Sequence, residues 1–213
     1  MARITVVGGT GFTGTAIVKE AASRGHRVTA FSRSVPDEPV DGVEYVAGDA
    51  SESPALVEGA DVVVAALSPR GDLADKLRGI YAQLAEAAAA NGARLVVIGG
   101  FSALRPAPGE PRIYTTADAP PPYDVEIRTM GQVLEDLESA PEGLDWVYIS
   151  PAGRYGAHEQ PPVEPRGTYR VGGEVALFDE DGESSLAPDD FALAIVDEID
   201  RPAHRRTNIG IAY

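Results

Sequence analysis

Residues 8–14 read Gly-Gly-Thr-Gly-Phe-Thr-Gly and follow directly on the apolar run Ile4-Thr5-Val6-Val7. A β-branched strand that empties into glycines and continues into a helix turns bare backbone N–H groups toward a pyrophosphate. A Cβ would obstruct the tight turn at Gly8, the approach of phosphates near Gly11 and the packing of the helix at Gly14. No Lys-Ser or Lys-Thr pair follows the last glycine, which excludes the other common phosphate loop. An ordinary strand-to-helix turn is the competing explanation. The β-branched strand ahead of the loop, and apolar Ala16, Ile17, Ala21 and Ala22 behind it, favour a dinucleotide. Gly8, Thr10, Gly11, Phe12, Thr13 and Gly14 are the expected contacts.

Short β-rich runs at 27–31, 43–46, 61–66, 94–98 and 144–149 alternate with helical patterns near 13–24, 77–90 and 124–137. Ser53 as cap and Pro54 in the first turn suggest a further short helix. Such alternation requires crossover connections, hence an α/β fold: a doubly wound parallel sheet with helices on both faces and ligands at the carboxyl ends of its strands. The acidic run Asp179-Glu180-Asp181-Gly182-Glu183 between apolar 175–178 and 184–187 predicts an exposed hairpin rather than a calcium site. Pro188, Asp189 and Asp190 open a last helix with Phe191, Ile195 and Ile199 on its core face, and 208–212 forms a terminal strand at the sheet edge. This small hairpin and helix extend the sheet at its C-terminal end. With 213 residues, 44% of them hydrophobic, a single domain over 1–213 is expected, the part from about 150 lying on the substrate side.

There is no cysteine, so disulfides and thiolate chemistry are excluded, and His26, His158 and His204 are too scattered for a metal cluster. The net charge of −15 would repel nucleic acid and an anionic membrane surface. No apolar run approaches a membrane span, and a cytoplasmic monomer or homodimer acting on a small molecule is the expectation. The same charge opposes an anionic dinucleotide, which must then be held by backbone dipoles and a few placed arginines.

The second strand ends in Phe31-Ser32-Arg33-Ser34, where an NAD-binding domain usually places an acid on the ribose 2′-OH. No acid is present, and Arg33 between two hydroxyls suits a 2′-phosphate, so NADP(H) is preferred over NAD(H). Asp49, followed by Ala50, either accepts from the adenine amino group or caps the following turn. Ala66, Leu67 and Ser68 after the fourth strand would let the backbone run close to the adenosine, as would a plain tight connection.

On GGTGFTG, the Ser-Arg after the second strand and the Gly-Asp after the third, the chain resembles the atypical short-chain dehydrogenase/reductases of the NmrA-like, NAD(P)-binding group. Leu144-Asp145-Trp146, Ser150-Pro151-Ala152-Gly153, Gly167-Thr168-Tyr169-Arg170, Gly182, 184–186, Asp190-Phe191-Ala192 and Asp197-Glu198 narrow the likeness to its NADH-flavin reductase branch. The resemblance runs from Arg3 to Tyr213. It implies a Rossmann-type fold with the nicotinamide near Gly99, Gly100 and Ser102 and near Ser150, Pro151 and Ala152. Phe101 departs from the smaller residues of relatives, and either narrows the pocket or stacks on a flat ring.

The larger short-chain family protonates a carbonyl oxygen from Tyr-x-x-x-Lys. Here the fourth residue after Tyr123 is Ile127, and neither Lys19 nor Lys76 follows any tyrosine at that spacing. A flavin, quinone or tetrapyrrole delocalises the charge of an added hydride within itself and takes its proton from water, so such an acceptor fits the missing dyad. A silent NADP-binding sensor fits it too. Ser102, His158 and Tyr123 are the candidate catalytic groups. Six prolines between Arg105 and Tyr123 suggest a lid or binding loop.

Overall fold

The computed structural model describes residues 1–116, 118–121 and 123–213. In chain order the elements are β1 (Arg3–Val7), α1 (Phe12–Ser23), β2 (Arg27–Ser32), β3 (Glu44–Ala47), β4 (Val62–Ala65), α2 (Leu77–Asn91), β5 (Arg94–Ile98), α3 (Ile113–Thr116), α4 (Tyr123–Glu138), β6 (Trp146–Ser150), β7 (Arg170–Val171), α5 (Pro188–Asp200) and β8 (Thr207–Ala212). Short 3-10 turns cover Ala50–Val57, Gly71–Leu73 and Phe101–Ala103. The sheet order is β3-β2-β1-β4-β5-β6-β8-β7, parallel throughout except for the β7–β8 pair.

The near-continuous apolar strands β1, β4, β5 and β6 are buried on both faces, as a parallel sheet covered by helices requires. Their period-two alternation sends Ile4, Val6, Val64, Val96 and Ile149 to one side, against Ile17 of α1 and Phe191 and Ile195 of α5. Val7, Val63, Leu95, Val97 and Tyr148 go to the other, against Leu84 of α2 and Leu134 of α4. The chain runs outward from β1 to β2 and β3, then crosses to β4 and proceeds the other way. The order therefore reverses between β1 and β4, and a crevice opens at their carboxyl ends.

Three local expectations are corrected. The turn at Ala50–Val57 is capped by Asp49 rather than Ser53: the Asp49 carboxylate accepts from Ser51 N at 3.0 Å, and Glu52 accepts from Asp49 N at 3.0 Å. Ser53 is buried and donates to Ala50 O at 2.7 Å. The acidic run closes a tight turn, with Asp179 N donating to Glu183 O at 2.9 Å, but its flanks do not pair with each other. Val175 bridges to Arg105 and Ser185 to Arg154, because burial of Leu186 draws the second flank under the exit of β6. Finally, β8 lies one strand in from the edge, which Arg170–Val171 occupies.

Among the described residues no helix is long and apolar enough to cross a membrane, and no group of carboxylates and histidines could hold a metal ion.

Candidate functional site

At the exit of β1 the chain reverses on Gly8, whose φ of +89° an L side chain rarely adopts and whose Cβ would lie 2.6 Å from Ala66 O. Gly8 N and Gly9 N both donate to Phe31 O, at 2.8 and 3.1 Å. Thr10 N donates to the Ser32 hydroxyl at 3.0 Å and Gly11 N to Gly8 O at 3.0 Å. The loop is thereby stapled between the ends of β2 and β4. A Cβ on Gly14 would meet Gly8 O at 2.0 Å, so only glycine lets the first turn of α1 settle on the loop. Gly11 is the N-cap of α1 and offers no side chain, and the first turn contains no acid. The leading N–H groups of Phe12, Thr13 and Gly14 thus have no side-chain cap, and the positive end of the helix dipole opens into the crevice. That geometry suits a pyrophosphate.

Beyond β2, Arg33 is exposed and has no carboxylate partner among the described residues. Asp49 is exposed at the end of β3, and its carboxyl is held below the ordinary value mainly by its bonds to Ser51, with Lys76 and Arg33 adding to the effect. Asp49 is engaged as a cap through Oδ1, which accepts from Ser51 N and Oγ. Ala50 is buried, so only its backbone can reach a ligand. The Tyr81 hydroxyl donates to Ala65 O at 3.1 Å and Leu67 O at 3.0 Å, fixing the path of Ala66 and Leu67 at the exit of β4, with Ser68 exposed behind them.

On the far side of the crevice, β5 ends in half-exposed Gly99 and Gly100, and β6 ends in buried Ser150, Pro151 and Ala152. The Ser150 hydroxyl donates to Asn208 Oδ1 at 2.9 Å, and Asn208 Nδ2 donates to Ala103 O at 3.0 Å. This buried pair ties β6 and β8 to the turn that carries Phe101 and Ser102. Three residues beyond Ala152, Tyr155 places its hydroxyl 2.7 Å from that of Thr13, and its ring packs edge-on against Phe12 and Phe191, with centroids at 5.5 and 5.0 Å. Burial pushes the Tyr155 phenol well above its ordinary range, against the lowering effect of Thr13. It is a fixed neutral group at neutral pH.

The candidate proton donors are scattered. Ser102 is half-buried in the Phe101–Ala103 turn, at the carboxyl edge of the sheet. His158 is 59% exposed by side chain, with Nε2 3.5 Å from Glu159 Oε1. Tyr123 opens α4, also at the carboxyl edge, but is 48% exposed. The structure brings no two of these three into a hydrogen bond. In the proline-rich stretch, Arg112 is buried and donates to Ala103 O at 2.8 Å, Glu138 at 2.5 Å and Glu174 at 2.6 Å, while Arg105 reaches Glu174 at 3.2 Å. These contacts anchor residues 105–112 under the turn at 101–103; Ala117 and Pro122 of the same stretch lie outside the described residues.

Comparison with known proteins matches the chain to the NAD(P)H-binding family over residues 8–202. The chain belongs to that family. The uncharacterized protein YwnB of Bacillus subtilis is 28% identical over 206 residues, spanning 95% of this chain and 94% of its own. A solved structure of a putative exported protein from Burkholderia pseudomallei is 33% identical, covers both chains completely and superposes with a TM-score of 0.84. SP1627 of Streptococcus pneumoniae, a putative NADH-flavin reductase, is 26% identical over 100% of this chain and 99% of its own, with a TM-score of 0.86.

For an NAD(P)H-binding protein, the residues that pattern reading missed are those that hold the loop. Ser32 reads in sequence as a neighbour for a 2′-phosphate, but its hydroxyl accepts from Thr10 N and donates to Phe31 O at 2.7 Å. Tyr155 meets Thr13 across 142 residues, a separation no local pattern reports. An apolar groove of about 500 Å³ between α2 and α4, lined by Tyr81, Ala85, Ala89, Leu137 and Leu144, lies apart from the glycine loop. It extends toward the C-terminal ends of both helices, hence toward the amino edge of the sheet, opposite to the glycine loop.

Proposed function

We propose that this protein is an NADPH-dependent reductase that passes hydride to a flavin or another planar conjugated acceptor without a Tyr-x-x-x-Lys dyad. The observation that carries the reading is the pairing of an uncapped, acid-free α1 N-terminus with an exposed Arg33 that has no carboxylate partner among the described residues. Backbone N–H groups at Phe12, Thr13 and Gly14 donate to the pyrophosphate, a helix-terminus contribution of about 0.3–2 kcal/mol. Arg33 pairs with the 2′-phosphate, where charge-assisted bonds contribute about 1.5–3 kcal/mol. Gly99, Gly100 and the Ser150–Ala152 backbone flank the nicotinamide.

The bound dinucleotide supplies a hydride, two electrons and one proton together, and is itself oxidised as the acceptor is reduced. The chain's contribution is alignment and exclusion of water. Tyr155 fixes the segment after β6 to α1, and the Ser150–Asn208–Ala103 bridge fixes the turn after β5. Ser150 Oγ already donates to Asn208, and a conjugated acceptor delocalises the charge of the added hydride, so the proton that follows can be drawn from water without a dedicated side-chain donor. The name of SP1627, whose whole length this chain matches, supports a flavin as one acceptor.

The test is the near-ultraviolet absorbance of NADPH and of NADH, followed with riboflavin, a quinone and a linear tetrapyrrole offered separately. Oxidation of NADPH in preference to NADH with at least one acceptor is expected. Tight NADPH binding with no oxidation by any of them would replace the reductase with a silent sensor.

A further inference from the structure

The turn after β5 carries Phe101, half-buried at the carboxyl edge of the sheet. Its ring approaches exposed Gly153, where an added Cβ would lie 3.6 Å away. Gly153 is two residues before Tyr155, which is bonded to Thr13 of the dinucleotide-facing turn. Two residues span at most about 7 Å, so Phe101 borders the crevice opposite the glycine loop. A second aromatic ring comes from elsewhere in the chain. Phe178, 46% exposed, meets Phe101 edge to face, with centroids 6.3 Å apart and planes at 89°. The exposed Phe178 ring, held at right angles to half-buried Phe101, presents apolar aromatic surface at this edge of the sheet, against which a flat ring can pack.

Charge around this surface is one-sided. Residues 170–183 contain five acids, Glu174, Asp179, Glu180, Asp181 and Glu183, and one base, Arg170. Arg170 is turned to carbonyl oxygens, donating to Phe178 O at 2.9 Å and to Tyr213 O. Arg154 is shared between Glu159 at 3.3 Å and Glu183 at 3.7 Å, and Arg105 is bonded to Glu174 at 3.2 Å. Asp179, Glu180 and Asp181 have no ion pair among the described residues, and the turn that holds them begins at the residue after Phe178.

We propose that Phe101 and Phe178 form the wall against which the hydride acceptor rests, and that the acidic turn at 179–183 restricts this place to planar conjugated molecules without negative charge. The inference rests on the reductase reading and sharpens it. A bare isoalloxazine, a quinone or a cationic dye is admitted, whereas a phosphorylated flavin or a propionate-bearing tetrapyrrole is disfavoured. Unscreened carboxylates within a Debye length, about 8 Å at physiological salt, make a several-fold difference against a phosphate.

The experiment measures equilibrium binding of riboflavin and of flavin mononucleotide to the protein saturated with NADP⁺, by flavin fluorescence, so that no turnover is needed. Riboflavin is expected to bind about fivefold more tightly at low salt, with the ratio falling as salt is raised. The surface variant Glu180→Gln/Asp181→Asn should bring the ratio to within twofold and leave riboflavin affinity unchanged. Phe178→Ala, at an exposed position that keeps NADP⁺ binding, should weaken both flavins about equally and by at least fivefold. Flavin mononucleotide binding as tightly as riboflavin, a ratio unmoved by the charge variant, or flavin affinity unmoved by Phe178→Ala would each overturn the proposal. Failure of both flavins to bind the NADP⁺-loaded protein would overturn it too. The reductase reading is judged separately, by turnover across the acceptor panel.

Discussion

The Tyr155 hydroxyl lies 2.7 Å from the Thr13 hydroxyl, joining the segment that leaves β6 to the first turn of α1. The two ends of the crevice are therefore one mechanical unit, and loosening one loosens the other. Tyr155→Phe should weaken NADPH by a few-fold, about 1 kcal/mol for a lost hydrogen bond. Thr13→Val should do the same. Because both remove one interaction, the double variant should be little worse than either single one, which calorimetric titration of NADPH can establish.

Arg33→Ala should reduce NADPH affinity by about tenfold or more while NADH changes by less than about twofold, since only one dinucleotide carries the phosphate that Arg33 would meet. Parallel titrations of the two cofactors check this. Equal losses would remove Arg33 from the 2′-phosphate role.

Glu198 is a stability element remote from the crevice. It accepts from Arg94 at 2.7 Å and from the backbone of Ala203 and His204 at 3.1 and 3.0 Å, and it lies 2.8 Å from His204 Nδ1. Burial works to raise its pKa, but the His204 and Arg94 bonds win and hold it below the ordinary value of 4.5. A depressed folded pKa contributes stability that is complete above the unfolded value and is lost as pH falls through the folded one. Glu198→Gln removes the carboxylate bonded to buried Arg94 and leaves it only Asp145 at 3.9 Å, and should cost about 1–3 kcal/mol in urea unfolding at pH 7. The gap to the wild type should narrow as the pH is taken well below the ordinary glutamate value of 4.5.

Ser102→Ala and His158→Ala should each leave turnover within about twofold and its pH profile unmoved, because neither group touches another candidate donor and a conjugated acceptor draws its proton from water. A loss of at least tenfold in turnover with unchanged NADPH affinity would make the affected residue the donor.

Much of the architecture could be read from pattern, since parallel strands buried on both faces are written as apolar runs such as Val62–Ala65 and Arg94–Ile98. The glycine loop was equally legible, because the positive φ at Gly8 and the lack of room for a Cβ at Gly14 beside Gly8 O both require glycine. Capping was less so: Ser53 beside Pro54 looks like a helix start, yet the capping box that begins at Asp49, four residues earlier, satisfies more donors. The acidic turn was recognised but not its partners, because Val175 and Ser185 pair with Arg105 and Arg154 through tertiary contacts. Tyr155, Asn208 and Phe178 act through neighbours distant in sequence, where periodicity carries no information.

Direct hydride transfer from NADPH to a planar acceptor at this crevice can be followed with 5-deazariboflavin, which is uncharged and retains an added hydride on carbon. The protein is mixed with NADPH deuterated at both nicotinamide C4 positions, and the product is read by mass spectrometry against a protein-free control. One deuterium per reduced deazaflavin is expected, formed only with protein present and far more slowly in Arg33→Ala. NADPH bound without any label reaching the acceptor would contradict direct transfer.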